Sequence, residues 1–314
     1  MLGVPNWLQL PPSDKRSILI AGCGGGFDVF NGLPIALALM TEGHSVTLAN
    51  LSFSQLAASG CEKVARSAWR IKADARELPY FPEKWLAEWL AQKGLKLPVY
   101  AFERTGAVPL IEAYQAVVRE REISLVILVD GGTDSIIFGD EPGLGTIVED
   151  AVSLTAAVAV CPETLLISVG FGVDHFHGVS HYSFLENVAT LIRDRAFLGT
   201  TALLAGTPEV ESFLALVEYA NRRQPHHVSI VCNSIASAIR GEFGDVHASK
   251  RTERSELFIN PLMALMWAFR AADVAGHMLF AEAVSCTTTA EEAVRAIELA
   301  REFVKPRLRR SIPL

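Results

Sequence analysis

The residues with the types and spacing to do chemistry lie in a few short runs of this 314-residue chain. The first run is Gly22-Cys23-Gly24-Gly25-Gly26-Phe27-Asp28. Glycines let a backbone take positive φ and approach a ligand closely, and Asp28 sets a carboxylate beside them. The second run, Asp130-Gly131-Gly132-Thr133-Asp134, places two acids around a small-residue turn, where a carboxylate can hold a metal ion, a ribose hydroxyl or a cationic group. The third holds Asp174, His175, His177 and, further on, His181, the densest set of metal-ligating side chains in the sequence. Its spacing matches neither a helical H-E-x-x-H nor a zinc finger. In an extended segment His175 and His177 face one side, as proton-transfer groups do.

Each run also has a plainer reading. An Asp before Gly-Gly commonly bonds its own turn, and three glycines also serve a tight strand-to-helix connection. Gly145 opens a helix whose N-terminus suits an anionic group, while Thr146 and Glu149, three apart, read as a capping box and Asp150 as a favourable first-turn charge. Asn50 ends a strand where a dinucleotide-binding chain carries an acid. Asn233 follows what reads as the last sheet strand, and Arg240 either pairs with a substrate carboxylate or phosphate or closes a helix before Gly241. His226 and His227 precede that strand and read as structural, at the wrong end of the sheet.

The elements that must position these residues are legible as βαβ units: short Val/Ile/Leu runs, each followed by small or polar residues and then a helical pattern. Strands are expected at Ser17 to Ala21, Ser45 to Ala49, Pro98 to Phe102, Ser124 to Val129, Leu165 to Val169, Thr201 to Ala205 and Val228 to Cys232. The first helix is placed at Pro34 to Met40, well beyond the glycines, and Pro261 to Val284 reads as a buried core helix. Ser183 with Glu186, and Thr289 with Glu292, predict two further capping boxes. The fold class is α/β: a Rossmann-like, doubly wound, mostly parallel sheet with helices on both faces and added C-terminal helices. One domain over residues 1–314 is expected, with a helical insertion at 54–96 covering the site and a helical region at 255–310. In such sheets ligands bind beyond the carboxyl ends of the strands, where every run above falls.

The segments Gly-Gly-Gly-Phe-Asp-Val, Val-Asp-Gly-Gly-Thr-Asp and Gly-Leu-Gly-Thr-Ile-Val-Glu-Asp make the chain resemble, over most of its length, a prokaryotic family catalogued only as a domain of unknown function. The resemblance implies a Rossmann-like fold and assigns no reaction. The first loop is also similar to the first motif of S-adenosylmethionine-dependent methyltransferases and to the dinucleotide fingerprint. Phe27 at the third glycine position and the late Pro34 depart from the latter, and Asn50 in place of an acid departs from both.

Composition narrows the classes. A net charge of -7 without a long basic run gives no electrostatic footprint for nucleic acid or a membrane surface. Lys305, Arg307, Arg309 and Arg310 are a local exception, read as helix-end cations. Five scattered cysteines with no C-x-x-C pair fit a reducing compartment, and the first residues lack a secretory pattern, so a cytoplasmic location is expected. The functional expectation is a hydrolase or group transferase acting on a nucleotide-like, sugar-like or cationic metabolite. In it Gly24, Gly25, Gly26, Asp28, Asn50, Gly131, Gly132, Thr133, Gly145, Asp174, Asn233 and Arg240 bind the ligand. Asp130, Asp134, His175 and His177 carry the chemistry, with Mg²⁺ in water-rich coordination as the metal the acids would suit. Two alternatives stand beside it: a non-catalytic metabolite-binding or assembly protein, and a methyltransferase. A small-molecule ligand and a homo-oligomer are the expected partners.

Overall fold

The structure, a computed structural model, describes residues 2–8, 10, 14–249, 252–253 and 257–312. Its strands are β1 (Ser17–Gly22), β2 (Ser45–Ser52), β3 (Glu62–Ala65), β4 (Ala68–Ile71), β5 (Val99–Glu103), β6 (Leu125–Gly131), β7 (Thr164–Val169), β8 (Phe197–Ala202), β9 (Gly244–Asp245), β10 (Phe258–Ile259) and β11 (Leu265–Arg270). All but β9 and β10, which pair with each other, join one sheet in the order β3-β4-β5-β2-β1-β6-β7-β11-β8. The central five, β5-β2-β1-β6-β7, are parallel. Among themselves they follow the Rossmann sequence third-second-first-fourth-fifth, so the winding reverses between β1 and β6. The crevice that opens there lies beyond Gly22 and Gly131.

Both sheet faces are covered, which is why the central strands read as unbroken apolar runs. Side chains alternate across a strand: Ile18 and Ile20 of β1 enter one core with Leu33, Ile35 and Leu39 of helix Leu33–Thr41. Leu19 and Ala21 enter the other with Leu110 and Tyr114 of helix Ala107–Glu120 and Leu154 of helix Ile147–Val160. In helix Ala107–Glu120 the buried residues Leu110, Ala113, Tyr114 and Val117 recur at three and four positions, the period that gives a helix one apolar stripe.

Several expectations are corrected. Segment 54–96 is not helical throughout: β3 and β4 form a hairpin that extends the sheet antiparallel to β5, and only Pro82–Gln92 is a long helix. Ala68, Trp69 and Ile71 supply the buried surface that holds the hairpin there. The apolar stretch 261–284 is divided, with Leu265–Arg270 inserted as a strand antiparallel to both β7 and β8. A short apolar run does not by itself separate a buried strand from a buried helix. Region 255–310 is therefore part sheet; its residues 255 and 256 lie outside the described ones. Val228–Cys232 is not a strand, because Ser229 Oγ accepts the Cys232 N–H at 3.0 Å and caps helix Ile230–Ile239.

A short helix, Asp28–Asn31, begins directly after the glycines and precedes Leu33–Thr41. The expected box at Ser183 fails, since helix His181–Arg193 starts before it, whereas the Thr289–Glu292 box forms in full. Arg307 is no helix-end cation: it lies beyond helix Ala290–Glu302 and pairs with Glu141 and Glu186. No helix among the described residues is long and apolar enough to cross a membrane.

Candidate functional site

The crevice between β1 and β6 collects five aspartates. Asp28 comes from the short helix after β1, Asp130 from the end of β6, Asp134 from the turn after it, Asp150 from the first turn of helix Ile147–Val160 and Asp174 from the turn after β7. None is more than 7 % exposed. One carboxylate oxygen from each of Asp28, Asp130 and Asp150 lies within 4.8 Å of the others. Two glycines make this convergence possible. A Cβ on Gly24 would lie 2.9 Å from Asp150 Oδ2 and 3.0 Å from Asp28 Oδ2, and one on Gly132 would lie 2.7 Å from Asp174 Oδ2 and 3.2 Å from Asp130 Oδ1 and Asp134 Oδ1. Any larger residue would occupy the space the carboxylates fill.

Backbone and hydroxyl groups fix these side chains. Thr146 donates from its N–H (2.7 Å) and Oγ1 (2.9 Å) to Asp134 Oδ2, and Thr133 donates from N–H (2.7 Å) and Oγ1 (3.2 Å) to Asp174 Oδ2. The Ser135 N–H donates to Asp130 Oδ2 at 3.3 Å. The glycine-loop amides of Gly24 and Gly25, with that of Gly131, face Asp28. A dinucleotide-binding loop turns such amides to a pyrophosphate; here the anion they serve is the chain's own. Asp150 Oδ1 accepts no hydrogen bond.

No Lys or Arg compensates the cluster among the interactions of the described residues. Burial, and then the Asp134 charge, push Asp28 up to about 8 against the pull of the facing amides. Burial followed by repulsion from neighbouring aspartates holds Asp130, Asp150 and Asp174 well above the carboxylate range. Burial raises Asp134 too, opposed by Thr146 and by the nearby His177. Cys23, fully buried beneath the cluster, has its thiol pushed up by burial and by Asp150, surroundings that disfavour the thiolate.

A cavity of about 300 Å³ opens over this floor. Asp28 and Asp174 line it with Gly25, Phe27, Phe53, Tyr80, Phe176 and His177, and Ser229 and Val231 close the side nearest helix Ile230–Ile239. Phe27 and Phe53 pack against Tyr80 at ring separations of 6.0 and 6.5 Å. His227 meets Tyr80 edge-on at 5.9 Å, so the 226–227 pair is near the cavity mouth rather than at the opposite end of the sheet.

The structure thus gathers Gly24, Gly25, Asp28, Asp130, Gly131, Gly132, Thr133, Asp134, Gly145 and Asp174 around one crevice, with His177 at the cavity wall. Residues 173–177 form a 3₁₀ turn, not an extended segment, so His175 and His177 diverge. His175 turns to His181, 5.0 Å between rings, and is absent from the cavity wall. Asn50 is a brace: its Nδ2 donates to Gly26 O (2.8 Å) and to Glu83 Oε1 (2.7 Å), holding the loop from below. Asn233 bonds Asn221 and the Ser229 carbonyl, and Arg240 pairs with Glu218 at the surface; neither lines the cavity. The Thr146–Glu149 box does not form, because Thr146 is spent on Asp134 and Glu149 pairs with Arg104.

Asp150 is the site residue that sequence reasoning missed. Its signal was its position: helix residues 147, 150, 151 and 154 are buried together, so an acid interrupts an apolar stripe. Phe53, Tyr80 and Phe176, which shape the cavity, carried no comparable signal. No curated protein and no solved structure matches the chain. The family described as "protein of unknown function (DUF1152)" matches residues 19–303, and the chain belongs to that family.

Proposed function

We propose that this chain is a divalent-cation-dependent enzyme of hydrolytic or group-transfer chemistry, acting on a small metabolite held in the cavity between the glycine loop and the 173–177 turn. The observation that carries the reading is the approach of Asp28, Asp130 and Asp150, buried and within 4.8 Å of one another, with the Asp150 Oδ1 left without a donor. Buried like charges at that separation are costly unless a proton or a cation neutralises them. An all-oxygen donor set suits hard ions such as Mg²⁺ or Mn²⁺ over zinc, whose protein sites draw on His and Cys.

A bound divalent ion supplies Lewis-acid polarisation of a substrate oxygen and acidifies a coordinated water. The chain's own residues do the rest. Asp28, Asp130 and Asp150 would hold the ion; Thr133 and Thr146 fix the carboxyl groups of Asp174 and Asp134 beside them. His177, at the cavity wall beside Asp134, holds or moves a proton. Val231, Phe27 and Tyr80 give the wall apolar surface against which a ligand body can pack.

Titration of Mn²⁺ into chelator-treated protein, followed by the loss of the free-ion paramagnetic resonance signal, tests the reading. Saturable binding is expected, displaced by Mg²⁺ and reduced at least about a hundredfold by Asp130→Asn. Absence of saturable binding at millimolar Mn²⁺ would falsify it.

A further inference from the structure

We infer that the metabolite taken by this cavity is an organic cation, an amine, amidine or guanidine carried on a flat or apolar body; the inference rests on the functional reading above for the location of the site, though not on its metal. Two carboxyl groups, Asp28 and Asp174, line the cavity, and among the described residues its wall contains no Lys or Arg. The floor behind them adds Asp130, Asp134 and Asp150. Five carboxyl groups crowd this side of the cavity, and such crowding favours positive charge placed among them over negative. At this wall an anionic ligand meets a single imidazole, His177, against two carboxyl groups that a cation meets directly.

The rings at the mouth point the same way. Phe53, Tyr80 and Phe176 present aromatic surface to the cavity, and the negative face of a ring attracts a cation within about 6 Å of its centroid. Phe176 lines the cavity while 58 % exposed, its ring held against His177 at 3.9 Å between centroids. It rides on the turn that carries Asp174, between Gly172 (φ +88°) and Gly178 (φ +96°), so ring and carboxylate are delivered by one short element. Asp174 has one oxygen bound by Thr133, which fixes its direction and leaves the other oxygen to meet a ligand. The polar end is thereby set at Asp174 and the apolar body against the rings.

The test is calorimetric binding of matched probes to the intact protein, with and without Mg²⁺: tyramine and agmatine as cations, tyrosol as the neutral counterpart of tyramine, and AMP as an anion. Tyramine is expected to bind at least about tenfold more tightly than tyrosol. Asp174→Asn should erase that preference while leaving tyrosol unchanged, and Phe176→Ala should weaken both. The wild-type comparison of tyramine with tyrosol stands even where a variant fails to fold. Equal affinities for the two, tighter binding of AMP, or binding of no cation overturns the inference. Mn²⁺ binding is read separately without any organic probe, so its loss alongside intact cation preference would sink the metal reading alone.

Discussion

Two regions of this molecule bury carboxylates, and they treat them in opposite ways. Glu141, fully buried, accepts the N–H groups of Phe138 and Gly139, each at 2.8 Å, together with Asn187 Nδ2 at 2.6 Å and Arg307 Nη2 at 2.7 Å. Arg307 in turn donates to Asn187 Oδ1 and Glu186 Oε2. Glu141 thus has both donors and a counter-charge within the chain, as a buried ion pair requires in order to be tolerated, although Arg307 Nε is left without a partner. Asp28, Asp130 and Asp150 have backbone donors for some oxygens, none for Asp150 Oδ1, and no Lys or Arg partner among the described residues. The first region is closed by the chain itself. The second leaves the compensating charge to be supplied from outside, and that difference, rather than acidity alone, separates a structural carboxylate from a ligand-seeking one.

The comparison breaks if the two regions respond alike to losing a charge. Arg307→Ala strands Glu141 and should destabilise the protein by about 3 kcal/mol in urea unfolding, the low end of the range for a broken buried pair because Arg307 is one-quarter exposed. A cost under about 1 kcal/mol would show that the backbone donors suffice. At the aspartates the partner is added instead of removed: Mn²⁺ at a hundred times its dissociation constant should stabilise the wild type by about 2.7 kcal/mol and Asp130→Asn hardly at all. In metal-free protein Asp150→Asn should raise stability by about 1 kcal/mol, since folding no longer has to protonate this carboxyl or bury it ionised beside its neighbours. Destabilisation there would mean that Asp150 has a favourable partner in the folded chain.

The sequence showed the parallel core clearly because its physics is local. Ile18 to Ala21 and Leu125 to Val129 are apolar throughout, the near-continuous pattern expected of a strand buried on both faces. The glycine loop and the Asp130 turn were legible for the same reason, since residues that follow central strands fall at the sheet's ligand-binding edge. What was not legible depends on distant partners. β4 and β11 are strands because β5 and β7 offer unpaired edges, a fact absent from their own residues. Thr146 and Glu149 have the spacing of a capping box, yet Asp134 and Arg104 compete for them and win. Asn233 and Arg240 were placed at the site through a strand that is a helix, and the error in the element carried into the residues.

The smallest predicted effect concerns Glu83, which stands between the two kinds of region. It is fully buried and accepts Asn50 Nδ2 through one oxygen, while Oε2 has no partner. Burial pushes it up from 4.5 to about 7, against the hydrogen bond from Asn50. Its folded pKa therefore exceeds its unfolded one, so the folded chain holds a proton that the unfolded chain has released. The stability this contributes is complete below the unfolded value and is lost as pH rises through the folded one. Glu83→Gln mimics the protonated acid at every pH. Stability measured for both proteins from about pH 6 to about pH 8 should then diverge in the variant's favour by on the order of 1 kcal/mol, and taking the difference cancels the share of the aspartates. A pH-independent difference would mean that the Asn50 bond alone keeps Glu83 ionised, placing it with Glu141 among the carboxylates the chain has closed.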